Sequence, residues 1–133
     1  MNYEGVIIEE SLDDTSVLGL VKILGTEVEA VTPEHQTPWV LQWTIHTVDV
    51  PDDQADSVAE KIAGTLDPHH GWYTDFKNDL FHYIIFRGRF FKVDRAAPAG
   101  YDAAVAYGLS LGIPDYQLDF SPTIQDWARQ QAP

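Results

Sequence analysis

Tyr3 to Ser11 is rich in β-formers at Val6-Ile7-Ile8, and from Val21 to Val31 the chain alternates, with Leu24, Val28 and Ala30 sharing a side. Both stretches predict strands, because a pleated chain sends successive side chains to opposite faces. Between them Asp13-Asp14-Thr15-Ser16 breaks the rhythm, and Ser16 to Leu20 predicts a short helical turn. Thr32 to Pro38 is a loop bracketed by prolines, which serve a strand ladder poorly. A third strand follows from Trp39 to Val50, with Trp39, Leu41, Trp43 and Ile45 on one face and Gln42, Thr44 and His46 on the other.

The rhythm then lengthens. Beyond Pro51, with Asp52 placed as N-cap, Ala55, Val58, Ile62 and Leu66 recur at helical spacing and Ala59 and Ala63 widen the stripe. This predicts an amphipathic helix over 52–66. After a turn at Asp67 to Gly71, the stretch 72–94 reads as a three-stranded antiparallel meander. Asn78-Asp79 turns Trp72–Lys77 back along Leu80–Phe86, and Arg87-Gly88 makes a two-residue hairpin to Arg89–Asp94, glycine taking the positive φ that such turns need. That register sets Asp75 opposite His82, Tyr73 opposite Ile84, Ile85 opposite Phe90 and Ile84 opposite Phe91.

A second helix is predicted over 100–111, with Tyr101, Ala104, Val105, Gly108 and Leu111 inward, Gly112 as a left-handed C-cap and Pro114 barring continuation. Tyr116 to Phe120 reads as an edge strand, and Ser121-Pro122 opens a short C-terminal helix anchored by Ile124 and Trp127. Segregated strands with few helices indicate an α+β fold with a mostly antiparallel sheet, not an alternating α/β one. The 133 residues suit a single domain, 1–133.

Composition narrows the function classes. With 21 acidic against 8 basic residues, a net −13, the chain repels phosphate backbones and anionic lipid, which argues against nucleic-acid binding. The acidic excess fits either an imitator of nucleic acid or a solubilising surface, and its scatter in pairs such as Asp13-Asp14 and Asp52-Asp53 favours the second. Apolar runs as short as Tyr83-Ile84-Ile85-Phe86 cannot span a bilayer. The opening Met1 to Gly5 has no basic region and predicts no signal peptide. Zero cysteines remove disulfide and thiol chemistry and fit a reducing cytoplasm.

The stretch Trp72 to Phe86, with Tyr107-Gly108-Leu109-Ser110-Leu111-Gly112-Ile113-Pro114, Gln117-Leu118-Asp119-Phe120-Ser121-Pro122 and the opening Tyr3 to Leu12, resembles a family of small uncharacterised bacterial proteins. The resemblance covers nearly the whole chain and implies neither a function nor a site residue.

Candidate chemistry comes from the residues themselves. A carboxylate across a strand from an imidazole can orient it and serve as a general base, which makes Asp75 and His82 the candidate catalytic pair. The ordinary reading is a polar pair that satisfies a buried histidine. Arg87, Arg89, Lys92 and Arg95 form a basic cluster in an acidic chain, so Tyr73, Arg87 and Arg89 are the candidate ligand-binding residues for a small anion or acidic peptide. His69-His70 with Asp67 and Asp75 suggests a metal. Adjacent histidines splay apart, though, and an exposed turn is the ordinary reading, so no metal is assigned. Isolated glycines match no phosphate cradle, and no cofactor is expected.

Both faces of the meander are apolar. One carries Tyr73, His82, Ile84, Phe86, Phe91 and Val93, and the other Trp72, Phe76, Phe81, Tyr83, Ile85 and Phe90. If both helices cover one face, the other needs a roof, either the chain's own strands or a second subunit about a two-fold axis. Two functions from different classes follow. One is a non-enzymatic binding module that uses an aromatic sheet face and self-associates as a homodimer. The other is a small enzyme using Asp75 and His82 on an anionic small molecule.

Overall fold

The computed structural model describes residues 1–33, 39–113 and 118. The expected strand at Tyr116 to Phe120 and the last helix at Ser121 to Trp127 lie outside the described residues, apart from Leu118 itself. Six strands form one antiparallel sheet: β1 (Tyr3–Ile8), β2 (Lys22–Ala30), β3 (Gln42–Val50), β4 (Tyr73–Lys77), β5 (Phe81–Phe86) and β6 (Arg89–Asp94). Their spatial order is β2-β3-β1-β4-β5-β6. The N-terminal strands therefore extend the meander sideways and do not roof it. Strand β1 joins the halves, and Gly5 permits the approach, since a Cβ there would lie 2.0 Å from the Asp75 carbonyl oxygen.

Each helix takes its own face, contrary to the expectation that both share one. Helix α1 (Ala55–Thr65) follows a 3-10 turn at Asp52–Gln54. It buries Ala55, Val58, Ala59, Ile62 and Ala63 in a core with Tyr3, Ile7, Val48, Val50, Phe76, Tyr83 and Ile85. Asp52 does not cap this helix. It heads the 3-10 turn, and its carboxylate lies 3.5 Å from the N-terminal ammonium. Helix α2 (Tyr101–Ser110) packs on the opposite face, where Ala104 joins Ile84, Phe86, Val93, Ile113 and Leu118. Its end is a Schellman turn: Ile113 N–H donates to Gly108 O at 3.2 Å, Gly112 N–H donates to Leu109 O at 3.0 Å, and Gly112 sits at φ 85°.

The meander differs from expectation in one register. β5 and β6 pair as expected about Arg87-Gly88, with Gly88 at φ 79°. β4 and β5 are displaced by two: Asp75 faces Ile84, Tyr73 faces Phe86 and Lys77 faces His82. The cause is Asn78, whose Oδ1 accepts from the N–H groups of Leu80 and Phe81, both at 2.8 Å. That moves the tip to Asp79-Leu80. A one-residue move of the tip shifts the pairing by two, so every side chain keeps its face.

Candidate functional site

On the α2 side of the sheet, Asp75 and His82 stand diagonally across β4 and β5. They are not directly opposed, yet His82 Nε2 lies 2.6 Å from Asp75 Oδ2. Tyr101, opening α2, brings its hydroxyl to within 3.0 Å of His82 Nδ1, with the ring edge-on to the imidazole. A carboxylate only accepts, so Nε2 carries the hydrogen, Nδ1 accepts, and the Tyr101 O–H donates. The three groups form one hydrogen-bonded chain through β4, β5 and α2. Burial then decides what it can do: His82 is 1% exposed and Asp75 4%. A general base must reach a substrate proton, and this imidazole has both nitrogens engaged inside the fold.

The candidate ligand residues lie elsewhere and have other work. Tyr73 packs against Phe86 at 6.0 Å between ring centres. Arg87 Nη1 donates to Leu66 O at 2.7 Å and Gly64 O at 3.2 Å, closing the C-terminal end of α1. The Arg89 guanidinium sits 4.5 Å from the Phe91 ring centre and 5.6 Å from that of Tyr107. Arg89 pairs with Phe86, four residues along β5 from His82, a separation of about 13 Å at the rise of a strand. The structure does not bring Arg87 or Arg89 to the Asp75–His82 pair. Lys92 lies over Phe81 and Tyr83, and Arg95 Nη1 donates to Asn78 O at 2.6 Å. The basic cluster is committed to rings and carbonyl oxygens.

The histidine turn, though largely exposed, is likewise bonded within itself. Asp67 Oδ2 meets His70 Nδ1 at 2.6 Å, and its Oδ1 accepts from the His69 N–H at 2.8 Å. Burial pushes the Asp67 carboxyl up, but these hydrogen bonds and the two imidazoles outweigh it and hold the carboxyl below its usual range. Asp75 is not part of this turn, and among the described residues no group of three or more His, Asp and Glu side chains can hold a metal. Trp39 stacks on His70 at 3.8 Å and meets Trp72 edge-on at 6.1 Å.

Two further polar networks escaped the sequence reading. His46 bridges Thr26 Oγ1 at 2.8 Å and Glu9 Oε1 at 2.9 Å, while Glu10 accepts from Thr44 N–H at 2.5 Å and from Thr44 Oγ1 at 2.7 Å. Beneath α1, Tyr83 donates to Asp56, and burial followed by that carboxylate pushes its phenol far above the tyrosine range. Tyr83 belongs to an apolar face in pattern, so nothing in the sequence distinguishes its hydroxyl.

Among the described residues two open grooves flank the last turn of α1. One, of about 450 Å³, is lined by residues including Asp14, Lys61 and Thr65; the other, of about 530 Å³, by residues including Glu60, Arg89 and Phe90. Neither touches Asp75 or His82. No helix in the same span is long and apolar enough to cross a membrane. Compared with known proteins, the chain matches no family model, no curated protein and no solved structure. The site is read from its own geometry.

Proposed function

We propose that this chain is a small non-enzymatic interaction module, self-associating and cytoplasmic, whose contact surface is the β2–β3 limb. One observation carries the reading: among the described residues, five of the ten exposed large apolar side chains stand on or beside that limb, while Asp75 and His82 are sealed inside. Eight of the nine residues of β2 are exposed. Leu24 is 49% exposed, Val28 62%, and Leu41, just before β3, 92%. Trp39 stands exposed beside them in sequence. A cluster of exposed apolar side chains on a small chain is the usual mark of an interaction surface. The aromatic faces of the meander no longer serve as that surface, because α1 and α2 each cover one. The expected dimer through a bare meander face loses its basis with them.

A second reading keeps Asp75 and His82 as a general-base pair of a small enzyme acting on an anion. The 2.6 Å contact favours it, but the sealed imidazole and the remote Arg87 and Arg89 leave it without access and without an anion clamp. The likeness to small uncharacterised bacterial proteins adds no activity to either reading.

Site-specific photo-crosslinking in the producing cell tests the proposal. A photoreactive residue at Leu41, Leu24 or Val28 is expected to give adducts of discrete mass, while one at Asp53 or Asp79, on exposed turns away from the limb, gives none. Adducts spread evenly over all positions, or absent from the limb, refute it.

A further inference from the structure

Among the described residues no strand pairs with the outer edge of β2, and its sequence is self-complementary. We infer that two copies of this chain pair β2 against β2, antiparallel about a two-fold axis through Thr26, making one continuous sheet. The inference rests on the limb being the contact surface, and it names the partner and the register.

The argument begins with the bulge. Against β3, Ile23 pairs with Val48 and Gly25 with Thr47, so Leu24 is an extra residue on β2. The bulge reverses the alternation: Thr26, Val28 and Ala30 share a face with Ile23, while Gly25, Glu27 and Glu29 share the other with Lys22. A second strand laid on the free edge must respect these faces. With Thr26 opposite Thr26, Gly25 falls opposite Glu27; beyond the extra Leu24, Ile23 falls opposite Val28 and Lys22 opposite Glu29. Every pair is then on a common face. The acidic Glu27 meets a glycine, and the one basic residue of the strand meets an acid, twice by symmetry.

This choice of partner follows from the edge itself. Exposed edge strands carry charges and bulges that frustrate pairing with unrelated strands. Here Lys22, Glu27, Glu29 and the Leu24 bulge are such devices, and the register of a two-fold copy accommodates all of them at once. The same symmetry brings two Ile23–Val28 apolar pairs together, covering side chains that the monomer leaves exposed. The opposite edge, β6, lacks this pattern, its Arg89 and Lys92 lying over aromatic rings of their own chain. The net −13 of each copy opposes approach at long range and is screened by salt, so association holds or tightens as salt rises.

The full-length chain in sedimentation equilibrium, with concentration varied across the micromolar range, gives the first readout, and a mass of two chains is expected at the upper end. Glu29→Lys sets Lys against Lys and is expected to weaken the dimer about tenfold, with Lys22→Glu in the same chain restoring it. The absence of cysteine gives a second readout. Thr26→Cys is expected to form a disulfide dimer on mild oxidation, since directly opposed strand residues lie within disulfide reach. Thr26 also bonds His46, so a mixture of Lys22→Cys and Glu29→Cys chains provides an independent pair, crosslinking together and neither alone. Single-chain mass at every concentration overturns the inference, as does a ladder of larger species, which marks edge-to-edge growth. If the chain stays single while limb photo-adducts carry other masses, the dimer falls and the interaction-module reading stands.

Discussion

Truncation of the Asp75–His82 pair separates a structural dyad from a catalytic one. His82→Leu leaves the Asp75 carboxylate, 4% exposed, facing an aliphatic side chain in place of the Nε2–H at 2.6 Å. Taking the hydrogen-bond donor away from a buried carboxylate costs about 3 kcal/mol or more. Asp75→Leu removes the acceptor of a buried N–H instead, a loss of about 1–3 kcal/mol. For a chain of 133 residues the first corresponds to a fall of roughly 10–20 °C in the unfolding midpoint. The double variant replaces both polar groups by apolar ones and is expected to lie well above the sum of the singles, with a coupling of at least ~2 kcal/mol. Urea titration of all four proteins, followed by tryptophan fluorescence, reads each value. Singles that cost less than ~0.5 kcal/mol, or a double that is simply additive, would show that the pair is solvated, which would refute the sealed-dyad argument.

Other consequences follow from the same packing. Ile62→Ala, in the fully buried stripe of α1, is expected to cost about 2–5 kcal/mol in denaturant titration. A loss near zero means that α1 does not cover the sheet. Gly5→Ala puts a methyl group 2.0 Å from Asp75 O and 2.6 Å from the Phe76 Cα, so this variant is expected to be poorly folded by circular dichroism, and wild-type stability contradicts β1 beside β4. Because the Tyr83 phenol is raised in the fold, first by burial and then by Asp56, its contribution is complete below its unfolded value of about pH 10 and is lost as the pH climbs beyond it. Tyr83→Phe is accordingly expected to flatten the alkaline limb of the stability profile, and an unchanged limb contradicts the assignment.

Local chemistry was legible in the sequence where one residue decides a conformation. Gly88 in the hairpin and Gly112 at the end of α2 both take the positive φ that their positions demand, and the α1 stripe from Ala55 to Ala63 faces inward. The β4–β5 register is not legible in the sequence because the Asn78 side chain bonds the next turn of backbone, a choice that the pair Asn78-Asp79 leaves open. Parity survived that shift, which is why Asp75 and His82 still meet. In pattern Tyr101 belongs to an apolar stripe; its hydroxyl reaches His82 only once α2 docks. The placement of β1 between β3 and β4 depends on partners distant in sequence, with Gly5 as its local trace. Trp39 and Leu41 alternate correctly for a strand, yet β3 begins at Gln42 and both side chains stay outside.

Hydrogen exchange of the unmodified protein, read peptide by peptide at low and at high micromolar concentration, tests the limb most directly. Exchange reports local opening and edge exposure along each element. The account predicts fast exchange over Lys22–Ala30 in dilute solution, slowing with concentration, while Phe81–Phe86 and Ala55–Thr65 stay protected throughout. Exchange over Lys22–Ala30 that is slow in dilute solution, or that does not change with concentration, would contradict it.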